Sequence, residues 1–206
     1  MRSTTWELGA KGRAALPGRL GGLRYDAALY WIDVANDLVP QEGGVYFFTA
    51  GRSRRKGAEL GLDWLPGERL LVSATGTLSE NRYLEYRNEL GDYAGRRVAG
   101  LPQAAFSALA RYVTASGLSG EVSAEHLGGY YADDANSARA GAFTLINGSV
   151  GYLRTIGPHT VRAFVAGYNL TDERYVASVF INGLSGQFYE PGLPRNWSAG
   201  LNLRWK

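Results

Sequence analysis

Residues 196–205 read Asn196-Trp197-Ser198-Ala199-Gly200-Leu201-Asn202-Leu203-Arg204-Trp205. Apolar and polar side chains alternate with a period of two, which predicts a β-strand with one apolar and one polar face. Chain ends usually fray unless other segments hold them, so a strand this regular beside the last residue needs partners along its length. An antiparallel transmembrane β-barrel supplies such partners, with an apolar face toward lipid and aromatic residues near the strand ends.

The same alternation recurs throughout the chain. It predicts about nine strands, at residues 6–13, 20–34, 45–65, 69–79, 103–113, 120–131, 142–154, 160–169 and 195–205. Small, polar and charged residues fill one phase of these strands, and aliphatic and aromatic residues fill the other. The predicted fold class is therefore all-β, as an antiparallel transmembrane β-barrel segment.

The predicted connections alternate in length. Short turns with proline or glycine fall at residues 16–18, 66–68, 115–117 and 157–159, and long loops fall at residues 35–44, 80–102, 132–141 and 170–194. Tight periplasmic turns and long extracellular loops are typical of transmembrane β-barrels. The segment 45–65 exceeds the ~9 to 11 residues that a tilted strand needs to cross a bilayer, so this strand is expected to project beyond it.

The tryptophans support the membrane interpretation. All five fall in apolar phases near predicted strand ends, as an aromatic girdle would: Trp6, Trp31, Trp64, Trp197 and Trp205. The alternative is a soluble all-β ligand-binding module, because alternation alone does not say whether the apolar face points inward or outward. The small, polar and charged residues of the polar phase suit a water-filled lumen. Together with the regular alternation of loop lengths, they favour the membrane barrel.

The composition excludes several other classes of protein. With 45% hydrophobic and 12% aromatic residues the chain is too apolar for a disordered segment, and no apolar run is long enough for a spanning helix. The absence of cysteine rules out a disulfide scaffold and a thiolate metal site. The net charge of +3 comes from mixed acidic and basic residues, so no nucleic-acid partner is expected. One basic run, residues 52–56, is predicted to be a solvated or lumen-facing patch on a strand.

Catalysis has little support in the sequence. His126 and His159 fall on different predicted elements, which disfavours a metal pair or a catalytic triad. A hydrolytic β-barrel enzyme would need a serine–histidine pair that these isolated histidines do not suggest. Asp133 and Asp134 lie in a polar loop, where neighbouring aspartates are more often solvated turn formers than cation ligands. The sequence therefore predicts no enzyme activity, no cofactor and no metal site.

The most specific motif is Tyr168-Asn169-Leu170-Thr171-Asp172-Glu173-Arg174-Tyr175, and shorter blocks are Thr5-Trp6-Glu7-Leu8-Gly9 and Lys56-Gly57-Ala58-Glu59-Leu60. In order and spacing these blocks resemble the TonB-dependent receptors of the Gram-negative outer membrane. Four further residues resemble the family's sorting signal, which the barrel-assembly machinery reads: Ser198, Gly200, Leu203 and Trp205.

The resemblance covers residues 1–206 and implies the C-terminal part of the receptor's β-barrel domain. Family barrels have about 22 strands around a plug, and this chain is expected to lack the signal peptide, the plug and the first strands. It is therefore expected to be a truncated fragment that would reach TonB only through the missing plug domain. The implied function is TonB-dependent uptake of a ferric siderophore or similar metal chelate at the bacterial outer membrane, with outer-membrane lipid around the barrel.

Two predicted long loops combine aromatic rings with guanidinium groups. Such a combination suits an anionic, partly aromatic ligand such as a ferric siderophore. The candidate ligand-binding residues are Arg82, Tyr83, Tyr86, Arg87, Arg96, Arg97, Tyr175 and Tyr189. For any one of them, ordinary loop packing is an equally good interpretation of the residue type.

Overall fold

The computed structural model describes residues 1–205, with the backbone alone at Arg19. In chain order the strands are β1 (Arg2–Ala15), β2 (Gly22–Gln41), β3 (Tyr46–Leu65), β4 (Leu70–Glu85), β5 (Arg87–Asn88), β6 (Gly91–Asp92), β7 (Ala104–Val113), β8 (Leu118–Leu127), β9 (Tyr130–Tyr131), β10 (Arg139–Ala140), β11 (Phe143–Ile156), β12 (His159–Tyr168), β13 (Val176–Val179), β14 (Tyr189–Pro191) and β15 (Asn196–Arg204). Short 3₁₀ turns lie at Gly18–Leu20, Glu42–Gly44 and Leu184–Gly186. In the described chain no helix has the length and apolar character needed to cross a membrane.

Nine of these strands form one antiparallel sheet. Its order is β1-β2-β3-β4-β7-β8-β11-β12-β15, so each strand pairs with the next long strand along the chain. The remaining six strands form three small hairpins: β5 with β6, β9 with β10, and β13 with β14. The prediction of about nine antiparallel strands is confirmed. The order is up-and-down, because each connection joins two strands that are neighbours in the sheet.

The sheet has two chemically different faces. We call the apolar one the outer face; in register across neighbouring strands it carries Leu8 opposite Leu29, and Leu29 opposite Ala58. Its side chains are uncovered, with Leu8 74% and Leu201 69% exposed. The opposite, inner face carries polar pairs. In one of them the Ser73 hydroxyl donates to the Asp63 carboxylate at 2.6 Å. An apolar face of this extent is typical of a surface that meets lipid or another protein.

The two edges of the sheet also differ. At the short-turn edge the chain reverses within a few residues, whereas the connections with their own small hairpins all lie at the opposite, long-loop edge. Trp64 and Trp205 lie at the short-turn edge, and Trp6 faces Trp31 in register nearer the long-loop edge. Trp31 lies about 27 Å along the strand from the position opposite Trp64. The outer face thus has an aliphatic band between two levels of tryptophan, the pattern of a transmembrane barrel wall.

The structure corrects three details of the sequence prediction. The predicted loop 35–44 is wrong, because β2 continues to Gln41 and turns directly into β3. Arg82 and Tyr83 lie on β4 and not in a loop, because that strand runs to Glu85. Trp6 and Trp31 lie inside their strands and not near the ends, since these strands continue past the tryptophan level. The predicted length of β3 is confirmed, because its 20 residues exceed the ~9 to 11 that a tilted strand needs to cross a bilayer.

A left-handed residue explains why the extension of β2 escaped prediction. Asn36 has a φ of +53°, a conformation that asparagine tolerates better than most residues. Beyond it the alternation changes face, so that Asp37 and Val39 are buried while Leu38 is half exposed. The pairing with β3 nevertheless resumes in the same register, with Asp37 opposite Ala50. The sequence pattern therefore breaks at a point where the backbone ladder continues.

Candidate ligand-binding cap

The buried core of this molecule lies at the long-loop edge. The projecting parts of β2, β3 and β4 and the loop after β4 contribute its residues, which are Val39, Ala50, Tyr83, Tyr86 and Val98. We use the name cap for this core together with the segments that pack over it, residues 37–50, 81–101, 129–140 and 176–191. Burial of these apolar side chains supplies the main driving force that holds the connections against one another.

Asp134 lies at the centre of the cap and is 3% exposed. Its carboxylate accepts hydrogen bonds from the hydroxyls of Tyr83 at 2.7 Å and Tyr86 at 3.1 Å, and from the Asn182 amide at 2.8 Å. The Gln41 amide approaches the same carboxylate at 3.5 Å. Burial raises the pKa of Asp134 above its usual value, although these hydrogen bonds act to lower it. Burial and then the neighbouring Asp134 charge also raise the pKa of Tyr83 and Tyr86, so both phenols stay protonated and donate.

Asn182 ties three connections together. Its amide nitrogen donates to the Pro40 carbonyl at 2.8 Å as well as to Asp134, and its amide oxygen accepts from the Asp134 backbone N–H at 3.0 Å. Its own backbone N–H donates to the carbonyl of Ala132 at 2.9 Å, and its carbonyl accepts from Glu42 at 3.1 Å. The β2–β3 turn, the loop around residue 134 and the loop around residue 182 are thereby held as one unit.

Asp133 and Asn136 shape the central loop locally. The Asp133 carboxylate accepts from the backbone N–H groups of Ser137 at 2.8 Å and Ala138 at 2.9 Å, and from the Ser137 hydroxyl. The Asn136 side chain accepts from the Arg97 N–H and donates to the Arg97 carbonyl, each at 2.9 Å. Asp133 is thus a turn former, as predicted, but neither aspartate is solvated, because Asp133 is 8% and Asp134 3% exposed. Within residues 1–205 no group of three or more histidine or acidic side chains could hold a metal ion.

A third buried aspartate, Asp37, anchors the projecting hairpin. Asp37 accepts from the Ser53 hydroxyl at 2.5 Å and from the guanidinium of Arg55 at 2.8 Å. Arg55 is a member of the basic run predicted to form one patch. The run instead divides between the faces, because Arg54 pairs on the outer face with Asp33 at 2.7 Å.

The structure separates the predicted ligand-binding residues into groups. Tyr83 and Tyr86 are almost fully buried, and their hydroxyls serve Asp134. Arg96 donates to the Ala135 carbonyl, and the backbone of Arg97 pairs with Asn136. These four residues therefore meet around the central loop of the cap.

Of the other four candidates, only Tyr189 contacts the segment that contains this loop, residues 129–140. Arg82 is on the outer face, where its guanidinium donates to Glu80 at 2.6 Å, and Arg87 is exposed in the β5–β6 hairpin. Tyr175 packs on Phe143, with ring centroids 4.6 Å apart. The Tyr189 hydroxyl donates to the Arg139 carbonyl at 3.3 Å.

Among the residues that organise the cap, sequence reasoning missed Asn182 and Gln41 and interpreted the buried Asp134 as a solvated turn former. Loop asparagines and aspartates are common, and no local pattern marks the ones that are buried. The two histidines lie on separate strands: His126 hydrogen-bonds Thr144 at 2.9 Å, and His159 begins β12.

Comparisons with known proteins agree with this architecture. Residues 1–170 match the family model described as TonB dependent receptor-like, beta-barrel. The chain is 28% identical over 183 residues to the Ferrioxamine B receptor of Salmonella typhimurium, covering 86% of this chain and 25% of that protein. It is 30% identical over 162 residues to the Ferrioxamine receptor of Yersinia enterocolitica, covering 76% of this chain and 22% of that protein.

Solved structures share the fold. The ferric yersiniabactin uptake receptor FyuA from Yersinia pestis matches with a TM-score of 0.73 at 21% identity, over 98% of this chain and 29% of that one. The siderophore receptor PiuA from Acinetobacter baumannii matches with a TM-score of 0.76 at 18% identity, over 97% and 28%. The chain thus spans about a quarter of the length of the curated relatives it matches. From the family-model match over most of its length, the chain belongs to the TonB-dependent receptor family and forms part of the β-barrel.

Proposed function

We propose that this chain is part of a bacterial outer-membrane receptor that takes part in TonB-dependent uptake of a ferric siderophore. One observation carries the proposal: the connections at one edge of a sheet with an apolar outer face are joined into a single cap around Asp134 and Asn182. Such a cap offers a fixed polar and aromatic surface at one end of a membrane-spanning wall. The relatives named ferrioxamine receptors favour a ligand of the ferrioxamine type.

The proposed placement puts the outer face against outer-membrane lipid and the cap outside the cell. Residues 1–206 would then form one part of the β-barrel domain. The uncovered aliphatic side chains support lipid contact, because a soluble binding module would bury such a face against a second layer. TonB would act through a plug domain, the part of family members that carries this contact. Ser198, Gly200, Leu203 and Trp205 remain a proposed signal for the barrel-assembly machinery.

The proposed ligand contacts are the exposed members of the predicted set. Arg87, Arg96 and Tyr189 are accessible at the cap, and guanidinium groups suit the charged oxygens of a metal chelate. Tyr83 and Tyr86 would act indirectly, by holding the central loop, whose Ala135 carbonyl accepts a hydrogen bond from Arg96. Neutralising an arginine that makes a charge-assisted hydrogen bond costs about 1.5–3 kcal/mol, so Arg96→Ala should weaken binding at least about tenfold.

A chimeric receptor tests the proposal. This chain would replace the matching quarter of the Salmonella Ferrioxamine B receptor in a strain that lacks its own receptor. We expect the chimera to restore iron uptake from ferrioxamine B, and we expect Arg96→Ala to reduce ligand binding while Arg13→Ala, on the inner face near the short-turn edge, does not. A chimera that reaches the outer membrane but neither binds nor transports any of a panel of ferric siderophores would refute the proposed function.

A further inference from the structure

A charged cluster lies on the outer face, just past the tryptophan level toward the cap. Two rows in register form it: Trp31, Lys56 and Glu80 in one, and Asp33, Arg54 and Arg82 in the other. We call these six residues the outer-face cluster. They lie directly next to the aliphatic band of the outer face, because the pair Leu29 and Ala58 is the neighbour of the pair Trp31 and Lys56 on that face. The cluster therefore lies where the apolar band of the wall ends.

The side chains of the cluster are held by one another. The Arg54 guanidinium donates through Nε to Asp33 at 2.7 Å and through Nη2 at 3.2 Å. Glu80 accepts from Lys56 at 2.9 Å and from Arg82 at 2.6 Å. Arg54 also lies over the Trp31 ring, with its central carbon 4.5 Å from the ring centroid. These contacts fix the cations in place, which lowers the entropic cost of binding a further group.

The cluster keeps donor capacity for an external acceptor. Three cations face two carboxylates, so one positive charge remains in excess. A guanidinium has five N–H donors and an ammonium three, and Asp33 engages only one edge of Arg54. The side chains of all three cations are between 33% and 43% exposed. A small anion with several oxygens can therefore reach Arg54 and Lys56 together.

We propose that the outer-face cluster binds the phosphate of lipid headgroups in the leaflet next to the cap. This inference rests on the membrane placement given under Proposed function. Tryptophan marks the level of the headgroups, and arginine and lysine just beyond it meet phosphate oxygens, to which guanidinium binds in a bidentate manner. The cluster continues the lipid-facing band, so its partner is lipid and not the ligand of the cap. Binding would fix the depth and rotation of this part of the wall.

Quenching of tryptophan fluorescence by brominated lipids tests the proposal, since Trp31 is itself part of the cluster. The full chain in neutral detergent micelles would be titrated with phosphatidic acid that carries brominated acyl chains, and with phosphatidylcholine that carries the same chains. We expect tighter binding of phosphatidic acid, and we expect salt to weaken this preference. The salt titration uses the unchanged chain and so does not depend on the folding of any variant.

Neutralising the cations supplies the matched comparison. At about fivefold per cation near a charged lipid surface, Arg54→Gln with Lys56→Gln should weaken phosphatidic acid binding about 30-fold. Lys11→Gln with Arg13→Gln changes the net charge equally on the other face of β1 and should leave binding unchanged. Arg54→Gln alone should give an intermediate loss of about fivefold.

Several results would overturn the inference. Equal affinity for the two lipids, or equal losses in the two double variants, would show that the cluster does not recognise the net negative charge of a phosphate that no choline cation masks. If Arg54→Gln with Lys56→Gln changed the oligomeric state of the chain but not its lipid affinity, the cluster would be a contact between copies of the chain. Either result together with intact ferrioxamine uptake by the chimera would leave the proposed function standing. Quenching by neither lipid would contradict the membrane placement as well.

Discussion

Replacing Asp134 with alanine should loosen the cap well beyond its own loop. The carboxylate is the acceptor for the hydroxyls of Tyr83 and Tyr86, which are 1% and 2% exposed. A buried hydroxyl that loses its acceptor costs about 1–3 kcal/mol, or about 2–6 kcal/mol for the two. Removing the charge returns part of this cost, because burial disfavours the ionised carboxylate and raises its pKa. We therefore expect a net loss of about 2–4 kcal/mol in cap stability.

Hydrogen exchange measured by mass spectrometry on the chain in detergent micelles would report this loss segment by segment. A loss of about 2–4 kcal/mol corresponds to a decrease in protection of about 30-fold or more. The decrease should appear together in residues 81–101, 130–140 and 176–191, because Asn182 and the two tyrosines join these segments through Asp134. Strands β7 and β8 lie outside the cap and serve as the internal reference.

Asp92→Ala is the matched control for this substitution. Asp92 is an exposed acid in the same region, paired with Arg87 at 2.7 Å, and such surface pairs contribute about 0–1 kcal/mol. Its replacement should change exchange only near the β5–β6 hairpin. If Asp134→Ala reduced protection in residues 130–140 alone, this segment would not be coupled to residues 81–101 and 176–191. The reasoning about the cap would then be wrong.

Three further predictions concern pH, lipid contact and packing. The pKa of Asp134 is raised above 3.8 in the folded state, so the folded state binds the proton more tightly than the unfolded state does. Protection factors in the cap should therefore fall as pH rises from 3.8 through the raised pKa. Asp134→Asn should not show this fall. Leu201→Arg on the outer face should cost about 2–4 kcal/mol in a denaturant titration in lipid vesicles, whereas Asn202→Arg on the inner face should cost clearly less; equal costs would argue against lipid contact. Gly167→Ala should cost about 1–3 kcal/mol, because the new methyl would lie 2.5 Å from the facing tryptophan ring, while Gly120→Ala, with no atom within 4 Å, should have little effect in the same titration.

The sequence by itself determined the strands and the two faces of the sheet. Alternation of side chains is a local property of extended backbone, so it can be read wherever the backbone alternates without interruption, as in residues 196–205. The short turns were equally readable, because proline and glycine favour turns through their own backbone preferences. The family motif at residues 168–175 pointed to the same receptor family as the later comparisons.

Only the tertiary structure decided how the long-loop edge is built. A single left-handed residue, Asn36, moves Asp37 and Val39 to the buried side without changing the register, and no period-two pattern encodes that change. The partners of Asp134 lie 48 to 93 residues away along the chain, so their contacts depend on how distant connections meet. Contacts between distant segments also explain why the candidate ligand-binding residues do not form one group. Residue type indicated which side chains could bind a chelate, but burial and pairing, which divide them between the core, the cap surface and the outer face, arise only when the strands assemble.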